Sequence, residues 1–357
     1  MVPHRHAPLP ELYRLADPAP LLDLVRPNLL DALPLYSTLQ TPGLATPLYA
    51  SFPSFDPDGK PQLVDAAQPD LWLALVDLGN QLRFFCSYEA HDHLTGDQVA
   101  QGESLVVGAL TRYLSEHRND RDRAAHTGIS IGAIPDTWTS CIARAFSQPF
   151  SASRIHYLPL DEVPSTSGGA VLPGGIVCTE GREEDIEEIL STSEVPHPPA
   201  YLSTRLAHTS VLRQLLSPPS PSPSPAPSSS SSSPDAAEPP SRILAHCTTH
   251  RDGSIGTLHV APSARQRGLG QLVLLARARA MASPSSSSST SAAKADEPPP
   301  PLRDAPVFCY VHRENEASNA LMRRAGMRIA RDGAEVWWAR VRLPLRNTGF
   351  EMDEDGP

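Results

Sequence analysis

The sequence predicts an α/β protein, because short apolar runs of strand type alternate with amphipathic helical patterns along most of its length. A length of 357 residues is enough for about two domains. A hydrophobic content of 40% is enough to bury a core in each of them. The most informative local pattern is a glycine-rich turn between a strand and a long helix in the second half.

Charge and cysteine usage narrow the class of protein. With 40 acidic and 30 basic residues the formal charge is −10, which argues against covering nucleic acid or anionic lipid by charge alone. We expect small molecules or proteins as partners, and neither nucleic acid nor a membrane. The five isolated cysteines predict neither a disulfide scaffold nor a metal site. Since no leader and no apolar run of about 18 residues is present, the expected location is the cytoplasm, with the nucleus as the alternative.

Two stretches rich in proline and serine, at about 217–241 and 283–301, cannot bury enough apolar surface to pack. Structured patterns resume after each one, so we interpret both as insertions within one domain. The expected organisation is an α/β domain over 1–165, a second domain over 171–345 that contains both insertions, and an acidic tail over 346–357.

Strand and helix patterns alternate in both halves. In the first half we predict strands at 71–77, 82–87 and 128–134 and helices at 97–114 and 136–146, the latter capped by Asp136. In the second half we predict strands at 176–180, 209–215, 242–248, 254–260, 307–311 and 336–341, and helices at 182–190, 200–206 and 317–324. A further long helix, entered through a glycine-containing turn that Pro262 opens, is predicted to end near Met281. The first half offers no catalytic motif, and His91 with His93 is interpreted as part of a surface loop.

The segment from Leu258 to Gln271 is a strand that enters a helix through a turn containing Gly268 and Gly270. Free N–H groups at a helix start attract anions, and glycine lets a phosphate approach the backbone closely. A pyrophosphate would fit there. A Rossmann dinucleotide site is the nearest rival, but its third glycine is replaced by Val273.

Two motifs carry a resemblance to a known family. Arg265-x-x-Gly268-x-Gly270 resembles the acyl-coenzyme A signature of the GNAT N-acyltransferase superfamily. A later segment, Asn315-x-x-Ser318-x-x-Leu-Met322-x-x-x-Gly-Met, resembles its closing motif. The sequence segments around 252–262 and 307–311 are similar to those of the FR47-like branch, which includes glycine N-acyltransferase-like proteins. The resemblance covers roughly 171–345, and shorter matches at 29–36 and 76–77 are similar to the degenerate GNAT-like N-terminal module of those enzymes.

This resemblance implies a GNAT fold, a mixed and mostly antiparallel sheet flanked by helices, and acetyl-coenzyme A or another acyl-coenzyme A as cosubstrate without a metal. An amine would attack the thioester directly. The backbone of the splayed strand would pair with the pantetheine arm, the glycine turn would hold the pyrophosphate, and the closing motif would hold the arm. The implied cofactor-binding residues are Leu258, His259, Val260, Arg265, Gln266, Arg267, Gly268, Leu269, Gly270, Gln271, Asn315 and Ser318.

The positions of the catalytic acid and base match the family less well than the cofactor-binding motifs do. Met322 stands where the family has its usual tyrosine, and Ser254 where many members have a glutamate. Asp252 and His259 are the candidate bases, although Asp252 also suits a simple turn and strand alternation sets His259 opposite its neighbours. Candidate acids chosen by proximity in sequence are Tyr310, Ser318 and Cys309.

Two functions of different classes follow. The first is an N-acyltransferase that acts on a small-molecule amine or an amino acid. The alternative is a catalytically inactive module that binds acyl-coenzyme A or another protein, which the loss of the tyrosine at Met322 favours. The sequence specifies neither the acyl group nor the acceptor, and it leaves open whether the protein is a monomer or a homodimer.

Overall fold

The structure is a computed structural model that describes residues 9–40, 46–63, 70–79, 81–117, 129–146, 149–165, 175–195, 197–215, 241–283 and 304–341. Both predicted insertions, apart from their end residues, and the predicted acidic tail lie outside the described residues. So does part of the linker between the two predicted domains, whose boundaries stay a prediction.

The first half of the chain forms six strands and four helices among its described residues. In chain order they are β1 (Tyr13–Leu15), α1 (Ala19–Val25), α2 (Leu29–Leu39), β2 (Leu48–Ala50), β3 (Leu73–Asp77), β4 (Gln81–Cys86), α3 (Gly96–Glu116), β5 (Ile129–Pro135), α4 (Asp136–Ala145) and β6 (Phe150–Leu158).

The second half repeats this succession. Its elements are β7 (Ile176–Glu180), α5 (Ile186–Thr192), α6 (Pro199–Ser203), β8 (Thr209–Leu215), β9 (Ser241–Thr249), β10 (Ile255–Val260), α7 (Leu269–Ala282), β11 (Val307–His312), α8 (Glu316–Arg324), β12 (Arg328–Ile329) and β13 (Glu335–Val341). In each half the first four strands pair antiparallel, and the fourth and fifth pair parallel around a crossover helix.

All the described strands belong to one mixed sheet in the order β1-β2-β3-β4-β5-β13-β6-β11-β10-β9-β8-β7, with β12 paired to β6. The two halves exchange their last strands. Strand β6 of the first half pairs antiparallel with β11 of the second, and β13 of the second half pairs antiparallel with β5 of the first. The halves are therefore joined by hydrogen bonds between strands at the centre of the sheet.

Helices cover both faces of the sheet. The first face carries α3 and α4 over the first half, and α7 and α8 over the second. The second face carries α1 and α2 over the first half. Cys309 of β11 packs in the core under α7, whereas Phe308 and Tyr310 pack on the second face with Leu33 of α2. Alternation along β11 thus decides which face each of its side chains reaches.

The strands and helices predicted from apolar runs are confirmed, with bounds that differ by a few residues. One detail is wrong: Asp136 does not cap α4, because its carboxylate accepts hydrogen bonds from the Trp337 indole and the Glu335 backbone instead. The short helix α6 ends at Ser203, earlier than expected, because a separate turn begins at Leu206. Within the described part of the chain, no helix combines the length and apolarity needed to span a membrane.

Candidate functional site

Strands β10 and β11 separate almost as soon as they meet. Their single register pair joins Ile255 to Cys309. Beyond it the register of β10 against β9 shifts between Gly256 and His259, and Thr257 adopts a left-handed φ of 46°. Such a bulge turns backbone groups out of the ladder. We call the point of separation, just after Ile255 and Cys309, the apex.

The glycine turn directs backbone donors outward from the start of α7. Gln266 and Gly268 both have positive φ, 63° and 76°, and Gly268 is the N-cap residue. No side chain caps this helix, so its first N–H groups are left to another partner and the helix dipole favours an anion there. Arg265 and Arg267 are exposed beside the turn, and Arg265 Nε donates to the Val260 carbonyl at 3.3 Å. The structure thus brings together the residues predicted for pyrophosphate.

The two glycines of the turn do different things. A Cβ at Gly268 would meet no atom within 4 Å, so that position needs glycine for its left-handed backbone. A Cβ at Gly270 would lie 3.2 Å from the Leu321 side chain and 3.3 Å from Val260. Gly270 therefore lets α7 and α8 approach each other, and its expected role of making room for a phosphate is secondary to this packing.

The closing motif folds as the start of α8. Asn315 Oδ1 caps the helix by accepting from the Ser318 N–H at 3.0 Å. Gln271 Nε2 donates to the Arg324 carbonyl at 2.9 Å, so only the backbone of Gln271 is suited to a phosphate. Met322 is buried in the core under α7 and has no proton to give.

A buried polar cluster lies at the apex on the second face. Arg83 of β4 in the first half reaches Asp252 in the turn before β10, with Nη2 and Oδ2 2.9 Å apart and both side chains almost fully buried. Asp252 also accepts from the Ser254 hydroxyl at 2.6 Å. The Tyr310 hydroxyl is buried beside Arg83 and Asp252, and the Thr257 hydroxyl on β10 is buried without a hydrogen-bond partner among the described residues. A buried hydroxyl without a partner is costly unless a ligand satisfies it.

Electrostatics separate the roles of these groups. Burial alone would raise the pKa of Asp252, but the Arg83 guanidinium, together with His250 and the hydrogen bond from Ser254, outweighs it and holds that pKa below the usual value. Asp252 is therefore a poor acceptor for the proton of an amine. Burial, and then the negative charge of Asp252, raise the pKa of Tyr310, which stays protonated and able to donate. Burial raises the pKa of Cys309 to about 12, and Cys309 lies on the other face.

His259 lies on the second face away from Leu258 and Val260, as alternation predicted. Its ring stacks on His246 with ring centroids 5.6 Å apart. His246 Nε2 in turn forms a hydrogen bond with the Thr192 hydroxyl of α5 at 3.0 Å. Burial, and then the charge of Arg265, lower the pKa of His259. Ser318, the other candidate acid, is half-buried in the first turn of α8.

Two apex residues were not predicted from sequence. Arg83 comes from the first half, and no pattern in β4 indicates that it reaches across the sheet. His250 precedes the Asp252-Gly253 turn, and its ring lies over Gly256, where a Cβ would come within 2.6 Å of the His250 Cδ2 atom. A glycine two residues after a buried turn is the one signal that the sequence offered.

Comparison with known proteins places the fold. No family model and no curated protein matches the chain. Among solved structures, a Drosophila protein aligns over 92% of this chain and 98% of its own, with a TM-score of 0.55 and 15% identity. A tandem GNAT protein from the clavulanic acid biosynthesis pathway aligns over 92% and 98%, with a TM-score of 0.42 and 14% identity. A GCN5-related N-acetyltransferase from Kribbella flavida aligns over 75% and 86%, with a TM-score of 0.38 and 11% identity.

The chain itself shows the predicted fold class, a mixed and mostly antiparallel sheet flanked by helices, preceded by a first half with the same succession of elements. The FR47-like branch stays a prediction. The fold class is confirmed, and the Drosophila protein shares this fold over 92% of the chain.

Proposed function

We propose that the protein is an acyl-coenzyme A-dependent N-acyltransferase that transfers an acetyl or larger acyl group to an amine by direct attack. The observation that carries this proposal is the combination of two open backbone features on successive elements. Strand β10 leaves β11 after a single pair, and α7 then begins without a side-chain cap. One offers peptide groups to an amide-bearing arm, and the other offers N–H groups to a pyrophosphate.

In this arrangement the pyrophosphate lies against the backbone N–H groups of 267–271, and Arg265 and Arg267 add positive charge. The pantetheine arm follows the 258–260 backbone, and the Asn315 amide contributes a donor. The thioester then reaches the apex, where the bulge at Thr257 offers backbone and hydroxyl groups to the carbonyl oxygen. These roles require positioning more than reactive side chains.

At the apex the amine nitrogen bonds to the carbonyl carbon and gives up a proton. The carbon–sulfur bond breaks, and its electron pair leaves with sulfur as the coenzyme A thiolate, which takes up one proton to become the free thiol. The Tyr310 hydroxyl, buried and protonated, is suited to stabilise that thiolate with a hydrogen bond. Tyr310 would then take the role of the family's usual tyrosine, whose place in the motif is occupied by Met322. The acceptor is a small-molecule amine or amino acid.

A left-handed glycine at the start of α7 provides the test. Replacing Gly268 with aspartate adds a negative charge at the anion site, and we expect the Kd of acetyl-coenzyme A to rise at least tenfold, about 1.4 kcal/mol. The matched control is Gly59→Asp, at a glycine with a similar φ of 77° and no neighbour within 4 Å of a Cβ. Calorimetric titration should show weaker binding for Gly268→Asp alone; equal affinity in the two variants contradicts the proposal.

The alternative is a module that binds acyl-coenzyme A without catalysis, which the burial of Met322 in the core favours. Thermal-shift titration with a panel of acyl-coenzyme A thioesters comes first. Thiol release is then measured with amino acids, polyamines and peptides as acceptors. Acceptor-dependent release above background hydrolysis removes the alternative, and binding without such release across the panel favours it.

A further inference from the structure

One imidazole at the apex has no role in the steps above. The His250 ring lies directly over Gly256, the first residue of β10 beyond its pair with β11. Gly256 and Tyr310 follow the paired residues Ile255 and Cys309, so they occupy corresponding positions on the same face of neighbouring strands. The imidazole therefore stands on the face of the apex that carries the Tyr310 hydroxyl.

The orientation of this ring is fixed from one side. His250 Nδ1 lies 2.8 Å from the Tyr201 hydroxyl of α6, while Nε2 lies on the side of Gly256. The Tyr201 ring is itself held by stacking on His197, with centroids 4.9 Å apart, and by the Arg251 guanidinium 5.5 Å from its centre. When Nδ1 carries the proton and donates it in a hydrogen bond to Tyr201, Nε2 carries the lone pair on the side of Gly256.

We propose that His250 is the base that takes the proton from the attacking amine, an inference that rests on the proposed function. Tyr201 is the positioning residue that holds His250 in the required tautomer. As the nitrogen–carbon bond forms, a proton passes from nitrogen to Nε2. The carbon–sulfur bond breaks, and the imidazolium of His250 returns the proton to the thiolate, to which the Tyr310 hydroxyl donates a hydrogen bond. Asp252 is excluded from this task by its ion pair with Arg83.

The charge state of His250 is consistent with this role. Burial lowers the pKa of His250 to about 4, so the ring is neutral at neutral pH and ready to accept. It is a weak base, but the attacking nitrogen becomes strongly acidic as its bond to carbon forms. The titratable or charged groups that face the ring from its own turn, from α6 and its flanking segments, and from β4 are Asp252, Arg251, Tyr201, His197, Arg205 and Arg83.

The experiment uses the full chain, acetyl-coenzyme A and the best amine from the acceptor panel. We expect His250→Asn to lower kcat at least a hundredfold and Tyr201→Phe about tenfold, with the Kd of acetyl-coenzyme A unchanged. The matched control is Tyr88→Phe, which removes a hydroxyl that contacts Gln101 of α3 in the first half and should leave kcat unchanged. Circular dichroism and melting curves verify that each variant is folded.

A second acceptor separates a base from a structural residue. A β-fluorinated analogue of the same amine is less basic and loses its proton more readily, so it needs the base less. We expect the loss in His250→Asn to be at least tenfold smaller with the fluorinated amine. Equal losses of kcat with both amines, an unchanged kcat in His250→Asn, or loss of acetyl-coenzyme A binding in Tyr201→Phe overturns the assignment of His250 as the base but leaves the proposed function standing. Absence of thiol release by the wild-type chain overturns the proposed function, and the assignment with it.

Discussion

Helices α3 and α7 occupy equivalent positions in the two halves, yet their first turns are satisfied in opposite ways. Thr95 caps α3: its hydroxyl accepts from the Gln98 N–H, and the Gln98 side chain accepts in return from the Thr95 N–H at 2.9 Å. Helix α7 has Gly268 in that place and no side-chain cap. A helix that caps itself has little to offer an anion, whereas an uncapped one does.

The parallel strands of the two halves differ in the same sense. In the first half, the space beyond β4 and β5 is occupied by Glu89 and Trp138. Glu89 Oε1 accepts from the Cys86 N–H and from the Trp138 indole, both at 3.0 Å. In the second half the corresponding apex contains the buried Thr257 hydroxyl, which has no hydrogen-bond partner in the part of the chain that the structure describes. The same succession of elements thus yields one closed and one open junction, and only the open one is suited to a cosubstrate.

The largest expected effect comes from disturbing the closed junction. A Cβ at Gly102 of α3 would lie 2.9 Å or less from atoms of the Trp138 ring, which is fully buried. We expect Gly102→Ala to lower the free energy of unfolding by about 3 kcal/mol, because overpacking forces α3 and α4 apart. Urea denaturation measures it, with Gly96→Ala, where a Cβ meets nothing, as the control. A loss equal to that of the control would show that the junction is loosely packed.

Glu89 should make stability depend on pH. Burial raises its pKa to about 7, so the folded state keeps a proton that the unfolded state releases near 4.5. Stability should therefore fall as pH rises from about 4.5 to 7. Glu89→Gln retains the acceptor atom without the charge and should be about 2 kcal/mol more stable than wild type at pH 8, with no such advantage at pH 4.5.

The measurement compares melting curves of the wild type and Glu89→Gln across this pH range. Burial lowers the pKa of both His246 and His250 to about 4, which makes stability rise with pH from about 4 to 6.5. That opposite trend is common to the two proteins and cancels in their difference. A difference that does not vary with pH would mean that Glu89 is charged throughout.

The smallest effect concerns the cap itself. Thr95→Ala removes the hydroxyl that accepts from the Gln98 N–H and should cost about 1 kcal/mol of folding free energy. Because α3 is not a cosubstrate site in our proposal, the Kd of acetyl-coenzyme A should stay constant. Chemical denaturation measures the loss of folding free energy, and calorimetric titration measures the Kd. A change in Kd would mean that the two junctions are coupled.

The sequence predicted most elements and the glycine turn, because apolar periodicity and glycine at a helix start are local signals. It did not predict β6, whose run over Phe150–Leu158 mixes serine, arginine and histidine among apolar residues. Nor did it predict Arg83 at the apex, since an ion pair across 169 residues leaves no trace in local pattern. The local motif that we propose for the cosubstrate could therefore be predicted from the sequence, and the cluster at the apex, assembled from distant elements, could not.

The exchange of β6 and β13 has a mechanical consequence. Each half encloses a strand that belongs to the other, so the halves are linked by main-chain hydrogen bonds and not only by the peptide between them. Cleavage of the chain between residues 166 and 174 should yield two fragments that stay associated through this strand pairing. Neither fragment could complete its own sheet by itself. The molecule is in effect an intramolecular domain swap, and its working unit is the whole chain.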